Sequence, residues 1–344
     1  MLTQRLAMLV LGLLGLASAT QSEAYEIRPR LGLHEAMTLA ASECLLVSPQ
    51  APWSCHLYSS RLEKLAAGKP AYAYGGLERA VRWPDDPTRQ IGVSSLFKFA
   101  FNASFYCPRH LRNNPEIGNA GLLCSSHFGR LQFWHAMVSE TGETRSETLR
   151  KMLAWSRFTF EVATGRISPD TDYCQYFGEN NSAIASKMKP ENFPFCITED
   201  NEQGWQISTL FSMKCSHPIW SGRCTAVTGL VADSLSRSAA TGALLHVIQD
   251  SYSQSHAARG PGNGATFEPR IECLFPTRFY DYRLQTTHVH RAADKVPVFA
   301  PSCLRGGEVD DAITASAMAL WHVRQRSDPD ELVAYLERRV FGRD

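Results

Sequence analysis

Three residues in one short stretch have types and spacing that could do chemistry together: His246, Asp250 and His256, in His246-Val-Ile-Gln-Asp250-Ser-Tyr-Ser-Gln-Ser-His256. Four residues apart on a helix, His246 and Asp250 lie about 40° from each other and share a face. An imidazole and a carboxylate so placed are good zinc ligands, and a rigid helix fixes their spacing. A single pair of this kind is more often just hydrogen-bonded; further ligands change that balance. His256, six residues past Asp250, falls at another azimuth on an ideal helix and is placed for a second metal alongside. His290 and Asp294 repeat the four-residue spacing, whereas the neighbouring His288 has Ala292 at the corresponding position. Trp83-Pro84-Asp85-Asp86 puts a carboxylate at an apparent helix end, Ser126-His127-Phe128 follows Cys124, and His34 belongs to an amino-terminal helix. His110 and His135 compete with His127 for its role. His135, within Phe133-Trp134-His135-Ala136-Met137, reads as a packed helical histidine. His56, His217 and His322 have no carboxylate at useful spacing and read as structural or surface residues.

The H-x3-D-x5-H pattern of His246, Asp250 and His256 resembles the signature of the zinc-dependent phospholipase C and single-strand-specific nuclease superfamily. The order along the chain resembles it too: an early His, an Asp, a His, the central motif, then H-x3-D. The resemblance implies an all-α, single multi-helix domain of that type with disulfide-pinned loop inserts, holding two or three zinc ions. By the same implication Asp85, His127, His246 and Asp250 hold one ion, and His256, His290 and Asp294 another. Asp250 lies near a third, bound also by His34 and by the mature amino terminus. Such a site suits phosphate esters, because zinc brings the pKa of a bound water to about 7 and several cations stabilise charge on both attacking and leaving oxygens. Asp85 is the expected catalytic group, assisting proton removal. The implied activity is phosphodiester hydrolysis, phospholipase C-like, with phospholipid as substrate and peripheral membrane contact; a nuclease or nucleotidase acting on single-stranded nucleic acid is the alternative. Asp294, where phospholipases of the family tend to use Glu, leans toward the nuclease branch. A monoester phosphatase could use the same metals. A different class, a non-catalytic metal-stabilised secreted module, is separated from all of these by a metal assay. The chain contains no G-x-S-x-G, P-loop or HExxH motif.

The elements that must position these residues read as helices with irregular inserts. Thr144 and Glu147 form a capping box ahead of a run ending at Gly165. Residues 31–41, 239–258 and 310–324 have helical character, and Asp328-Pro329 starts a further helix. Residues 168–224, rich in Pro, Asn, Ser and Cys, read as a disulfide-pinned excursion. Nothing alternates strongly enough for an extensive sheet.

Arg5, the apolar run from Leu6 to Leu16 and Ala17-Ser18-Ala19 make a secretory signal, shorter than a membrane-spanning helix. Cleavage after residue 19 is one option. Cleavage after residue 24 would expose Tyr25 as the terminal metal-binding residue. Residues 25–344 then form the helical domain, in a secreted or periplasmic setting with no transmembrane segment. The ten cysteines, with no C-x-x-C, pair most simply as neighbours: Cys44–Cys55, Cys107–Cys124, Cys174–Cys196, Cys215–Cys224 and Cys273–Cys303. The formal net charge of +1 argues against nucleic-acid binding by charge alone.

Overall fold

A helix that is apolar all round must be buried, because no face of it gains from water. Residues 239–250, which include Ala239-Ala-Thr-Gly-Ala-Leu-Leu245, meet that condition, and every one of them is buried at the end of the Leu230–Asp250 helix. This central helix is wrapped by Arg145–Thr164, Ile207–Ser212, Gly76–Ala80 and Ala312–Gln325. The amino-terminal helix, Leu33–Val47, packs on Ala312–Gln325 and on the 3-10 helix Pro52–Arg61. The computed structural model describes residues 32–47, 52–62, 75–89, 121–191, 204–215, 224–260, 273–285, 297–300 and 308–343, with isolated positions between them. Among these residues the protein is mostly helical; its strands form three two-stranded pairs of at most four residues a strand.

Local signals placed several elements as expected. Thr144 caps Arg145–Thr164 through a complete capping box, and Gly165 ends it at φ 76°, a left-handed conformation that glycine adopts without strain. Asp311 caps Ala312–Gln325, and Asp328 caps Pro329–Leu336 with proline in the first turn. The five disulfides join the neighbouring cysteines. They suit an oxidising, non-cytoplasmic setting. No described helix is long and apolar enough to cross a membrane.

Two expectations are corrected. The central helix stops at Asp250 instead of continuing to residue 258. Ser251 and Ser253 turn their hydroxyls to local acceptors, competing with the helical ladder, and Ala257–Arg259 then pairs antiparallel with Pro276–Phe279. Residues 168–224 carry the two disulfides expected to pin them, Cys174–Cys196 and Cys215–Cys224, but are more regular than expected. Their described part contains the helices Tyr173–Glu179, Ala185–Met188 and Ile207–Ser212 and the hairpin Met213–Cys215/Cys224–Ala226. Tyr173, Phe193 and Trp205 form a buried aromatic group there, and Phe211 extends into the core against Trp83 with ring centroids 4.7 Å apart.

Candidate metal centre

Histidines and carboxylates from six places in the chain meet at the carboxyl end of the central helix. His246 and Asp250 come from that helix, and His256 from the turn after it. His34 comes from Leu33–Val47, His127 from Leu122–Phe128, His135 from the end of the 3-10 turn Gln132–His135, and Asp85 from the turns after Gly76–Ala80. All seven side chains are buried. Six of them fall into two groups whose donor atoms lie within 4.8 Å of one another: His34, His246 and Asp250; and Asp85, His127 and His135. The groups touch. His246 Nε2 is 2.9 Å from Asp250 Oδ2 and 3.6 Å from Asp85 Oδ1, and His135 Nδ1 is 3.0 Å from Asp250 Oδ2 and 3.8 Å from Asp85 Oδ1.

Packing beneath the cluster explains the convergence. Trp83, Trp134 and Trp155 stack in sequence, with centroids 4.9 Å apart for Trp83–Trp134 and 4.8 Å for Trp134–Trp155. Trp83 lies two residues before Asp85 and Trp134 one before His135, so one buried aromatic layer sets the height of both ligands. On the other side, Gly242 lets the central helix meet the Ala80–Val81 backbone. A Cβ at residue 242 would stand 2.2 Å from the Ala80 carbonyl oxygen. That close approach brings the Val81 carbonyl within 2.9 Å of His246 Nδ1, one helical turn further on.

The hydrogen bonds fix which ring nitrogens face inward. A backbone carbonyl can only accept, so His246 Nδ1 donates to Val81 at 2.9 Å, His127 Nδ1 to Leu123 at 3.0 Å and His256 Nδ1 to His135 at 2.6 Å. His34 Nδ1 donates to Gln249 Oε1 at 2.8 Å, and Gln249 is itself held by donating to Thr38 and Ser316. In each neutral ring Nε2 is then a lone-pair acceptor. His246 aims its own at Asp250 Oδ2, 2.9 Å away, and His127 at Asp85, 3.9 Å away, whereas His34 Nε2, 3.2 Å from Asp250 Oδ1, carries a proton. Outer partners of this kind orient ligating histidines in metal sites. His135 Nε2 is buried with no hydrogen-bond partner among the described residues. Acceptors therefore crowd one small volume, and a cation is the group that satisfies several of them at once.

Protonation follows the same logic. Burial is the largest influence and opposes charge: it carries His246 and His127 down to about 4 and His135 well below its ordinary value. His34 suffers the same burial, but Asp250, with Asp85 behind it, outweighs it and holds the imidazole at about 9. Burial also opposes an ionised Asp250, yet the surrounding histidines hold its carboxyl well below the usual carboxylate range. Three rings are thus available as neutral ligands, and the charge His34 carries beside Asp250 is one a cation can replace.

The structure brings together His34, Asp85, His127, His246, Asp250 and His256, all picked from sequence. It corrects the reading of His135, which is a member of the cluster and not a packed helical histidine. Because the helix ends at Asp250, the next turn brings His256 Nδ1 to within 3.4 Å of Asp250 Oδ2. His290, Asp294, His288, His110, His217, Tyr25 and the signal segment lie outside the described residues. His56 is half-buried in a 3-10 helix and His322 is buried on Ala312–Gln325, both as structural residues. Comparison of the chain with family models, with curated proteins and with solved structures returns no match.

Proposed function

We propose that the protein is a zinc-dependent phosphodiester hydrolase, phospholipase C-like in substrate class, with its active centre at the His34–His256 cluster. One observation carries the reading: five buried imidazoles and two buried carboxylates converge on one volume, six of them in two groups whose candidate ligand atoms lie within 4.8 Å of one another. Mixed nitrogen and oxygen ligands at this density match zinc chemistry better than magnesium or calcium, which prefer oxygen. Zinc ions held by His34, His246 and Asp250 and by Asp85, His127 and His135 would supply hydroxide at neutral pH and neutralise charge growing on the phosphate oxygens.

The chain's own residues do the rest. Asp85, with His246, His135 and His127 between 3.6 and 3.9 Å from its Oδ1, is the carboxylate through which a proton can leave the attacking water. Asp250 ties both groups through one side chain and keeps His34 and His246 facing inward. Val81, Leu123 and the carbonyl of His135 accept from Nδ1 of His246, His127 and His256 and so leave Nε2 of each to face inward, while Gln249 fixes the ring of His34. No covalent nucleophile is required.

The deciding experiment measures metal by mass spectrometry on the purified protein. Beside it runs hydrolysis of phosphatidylcholine and of single-stranded DNA, with and without chelator. Two or three zinc ions per chain, with chelator-sensitive release of phosphocholine, are expected; cleavage of DNA in place of lipid would move the protein to the nuclease reading. Protein devoid of bound metal and inactive on both substrates would end the proposal. Asp250→Asn removes a ligand of the first group and the carboxylate that holds His135 of the second, and it should abolish metal retention and turnover together.

A further inference from the structure

The turns that carry Asp85 have a second face. Arg79, Arg82, Asp86 and Arg89 recur every three or four residues from the short helix Gly76–Ala80 onward, and the Asp86 amide donates to the Arg82 carbonyl at 3.0 Å. Residues 81–85 form turns, and Arg89 stands beyond them at φ 51°. Val81 and Asp85 face the histidine cluster; the arginines face a pocket of about 360 Å³ between this segment and the amino-terminal half of the central helix, where Ser234 and Ser238 complete a polar lining. A pocket of that size is in the range that holds small organic ligands.

Charge and desolvation identify the class of ligand. Three guanidinium groups line the pocket with one carboxylate, Asp86. Arg82 is also ion-paired with Glu35 from Leu33–Val47. Two carboxylates against three guanidinium groups leave positive charge in surplus. Burial and the proximity of Arg79 both work against the charge on Arg89. Arginine forks match tetrahedral oxyanions, offering paired N–H donors, and serine hydroxyls add neutral ones.

We infer that the pocket formed by Arg79, Arg82, Arg89, Ser234 and Ser238 is a binding site for a phosphate group, either free or at the end of a small organic ligand. It is distinct from the histidine cluster, none of whose seven side chains lines it, although the same segment supplies Asp85. The inference does not depend on the hydrolase reading: the cluster's acceptors repel phosphate unless metal is present, whereas the arginines attract it in either case.

Calorimetric titration of the protein as purified tests the site, with inorganic phosphate in one arm and glycerol 3-phosphate in the other. Metal content is measured on the same samples. The variants are Arg79→Gln and Arg79→Gln/Arg89→Gln. Arg79 is exposed, so its replacement leaves the core intact even if the double variant folds poorly. Loss of a charge-assisted contact should weaken phosphate binding roughly tenfold or more in Arg79→Gln, with metal content unchanged. Tighter binding of glycerol 3-phosphate, lost in the same variants, assigns the pocket to an organic phosphate; equal binding assigns it to the free ion. Wild-type affinity for both probes in the arginine variants, or no phosphate binding by the wild-type protein, overturns the site. Absence of metal would sink the hydrolase reading and leave the arginine result standing.

Discussion

His135 shows what a residue-by-residue reading can and cannot reach. His246 and Asp250 were legible because one helix carries both, so their spacing in sequence is their spacing in space. His135 has Ser139 at the position four residues on, and its neighbours Phe133 and Trp134 are core residues. Its ligand-like character comes from Asp250, 115 residues away, and from the local backbone. Gln132–His135 is a single 3-10 turn ended by Ala136 at φ 53°, and this turn delivers the ring to the cluster. His135→Gln should therefore lower zinc affinity at least about tenfold in a competition titration with a chromogenic chelator, the scale seen when groups in or next to a metal site are lost. Wild-type affinity in that variant would remove His135 from the centre. His322 offers a contrasting prediction away from the metal. Burial pushes its imidazole down to about 4, so the folded protein keeps it neutral while the unfolded chain titrates near the ordinary 6.5. Below about 6.5 the unfolded chain binds the proton that the folded one refuses, so this residue costs stability as pH falls from about 6.5 to 4. Melting temperatures of wild type and His322→Gln, compared across that window, should diverge, with the variant showing the shallower decline toward acid. Parallel curves would show that His322 is protonated equally in both states.

At the scale of elements, caps and turns were readable wherever the deciding interaction is local. Thr144 with Glu147, and Asp328 with Pro329, each define a helix start within four residues. The two misjudged regions are decided by distant partners. The central helix ends at Asp250 because Arg259 returns to donate to the Ser251 carbonyl and hydroxyl, both at 2.9 Å, while Ala257–Arg259 finds Pro276–Phe279. The described part of residues 168–224 is packed around the aromatic group of Tyr173 and Trp205, which local composition does not disclose. Gly242 is the most consequential case, since a glycine in mid-helix signals only lost stability in sequence. Here it is the contact that lets the Gly76–Asp85 segment lie on the central helix. Gly242→Ala would press a methyl group into the Ala80 carbonyl, and the segment, not the buried helix, must give way. Overpacking of this kind costs about 1–3 kcal/mol, against a helix-propensity gain of about 1. The displaced segment carries both Val81, which orients His246, and Asp85. Thermal melts and metal analysis of Gly242→Ala should show lower stability and reduced metal content together; a stabilised variant with full metal would mean the segment tolerates the shift.

For the whole molecule, the centre is a junction as well as a site. Leu33–Val47, the Gly76–Asp85 segment, Leu122–Phe128, Gln132–His135 and the central helix each send at least one buried imidazole or carboxylate into the same volume. The disulfides do not duplicate these ties: each closes a loop between neighbouring cysteines, the longest spanning 30 residues between Cys273 and Cys303. They restrict the unfolded chain locally but do not connect the amino-terminal helix to the central one. Hydrophobic packing holds these elements together, yet it also buries polar groups whose desolvation opposes that packing, a cost that a bound cation would offset. Removing metal should consequently loosen the assembly as a whole. Linkage gives the scale: free metal at a thousandfold its dissociation constant stabilises the folded state by about 4 kcal/mol. A chelator should lower the melting temperature in a single cooperative transition, restored by stoichiometric zinc, while the same chelator added to Asp250→Asn should change nothing because that variant starts without metal. If wild type and Asp250→Asn melt alike in both conditions, the cluster is an ordinary buried hydrogen-bond network and the metal does not belong to it.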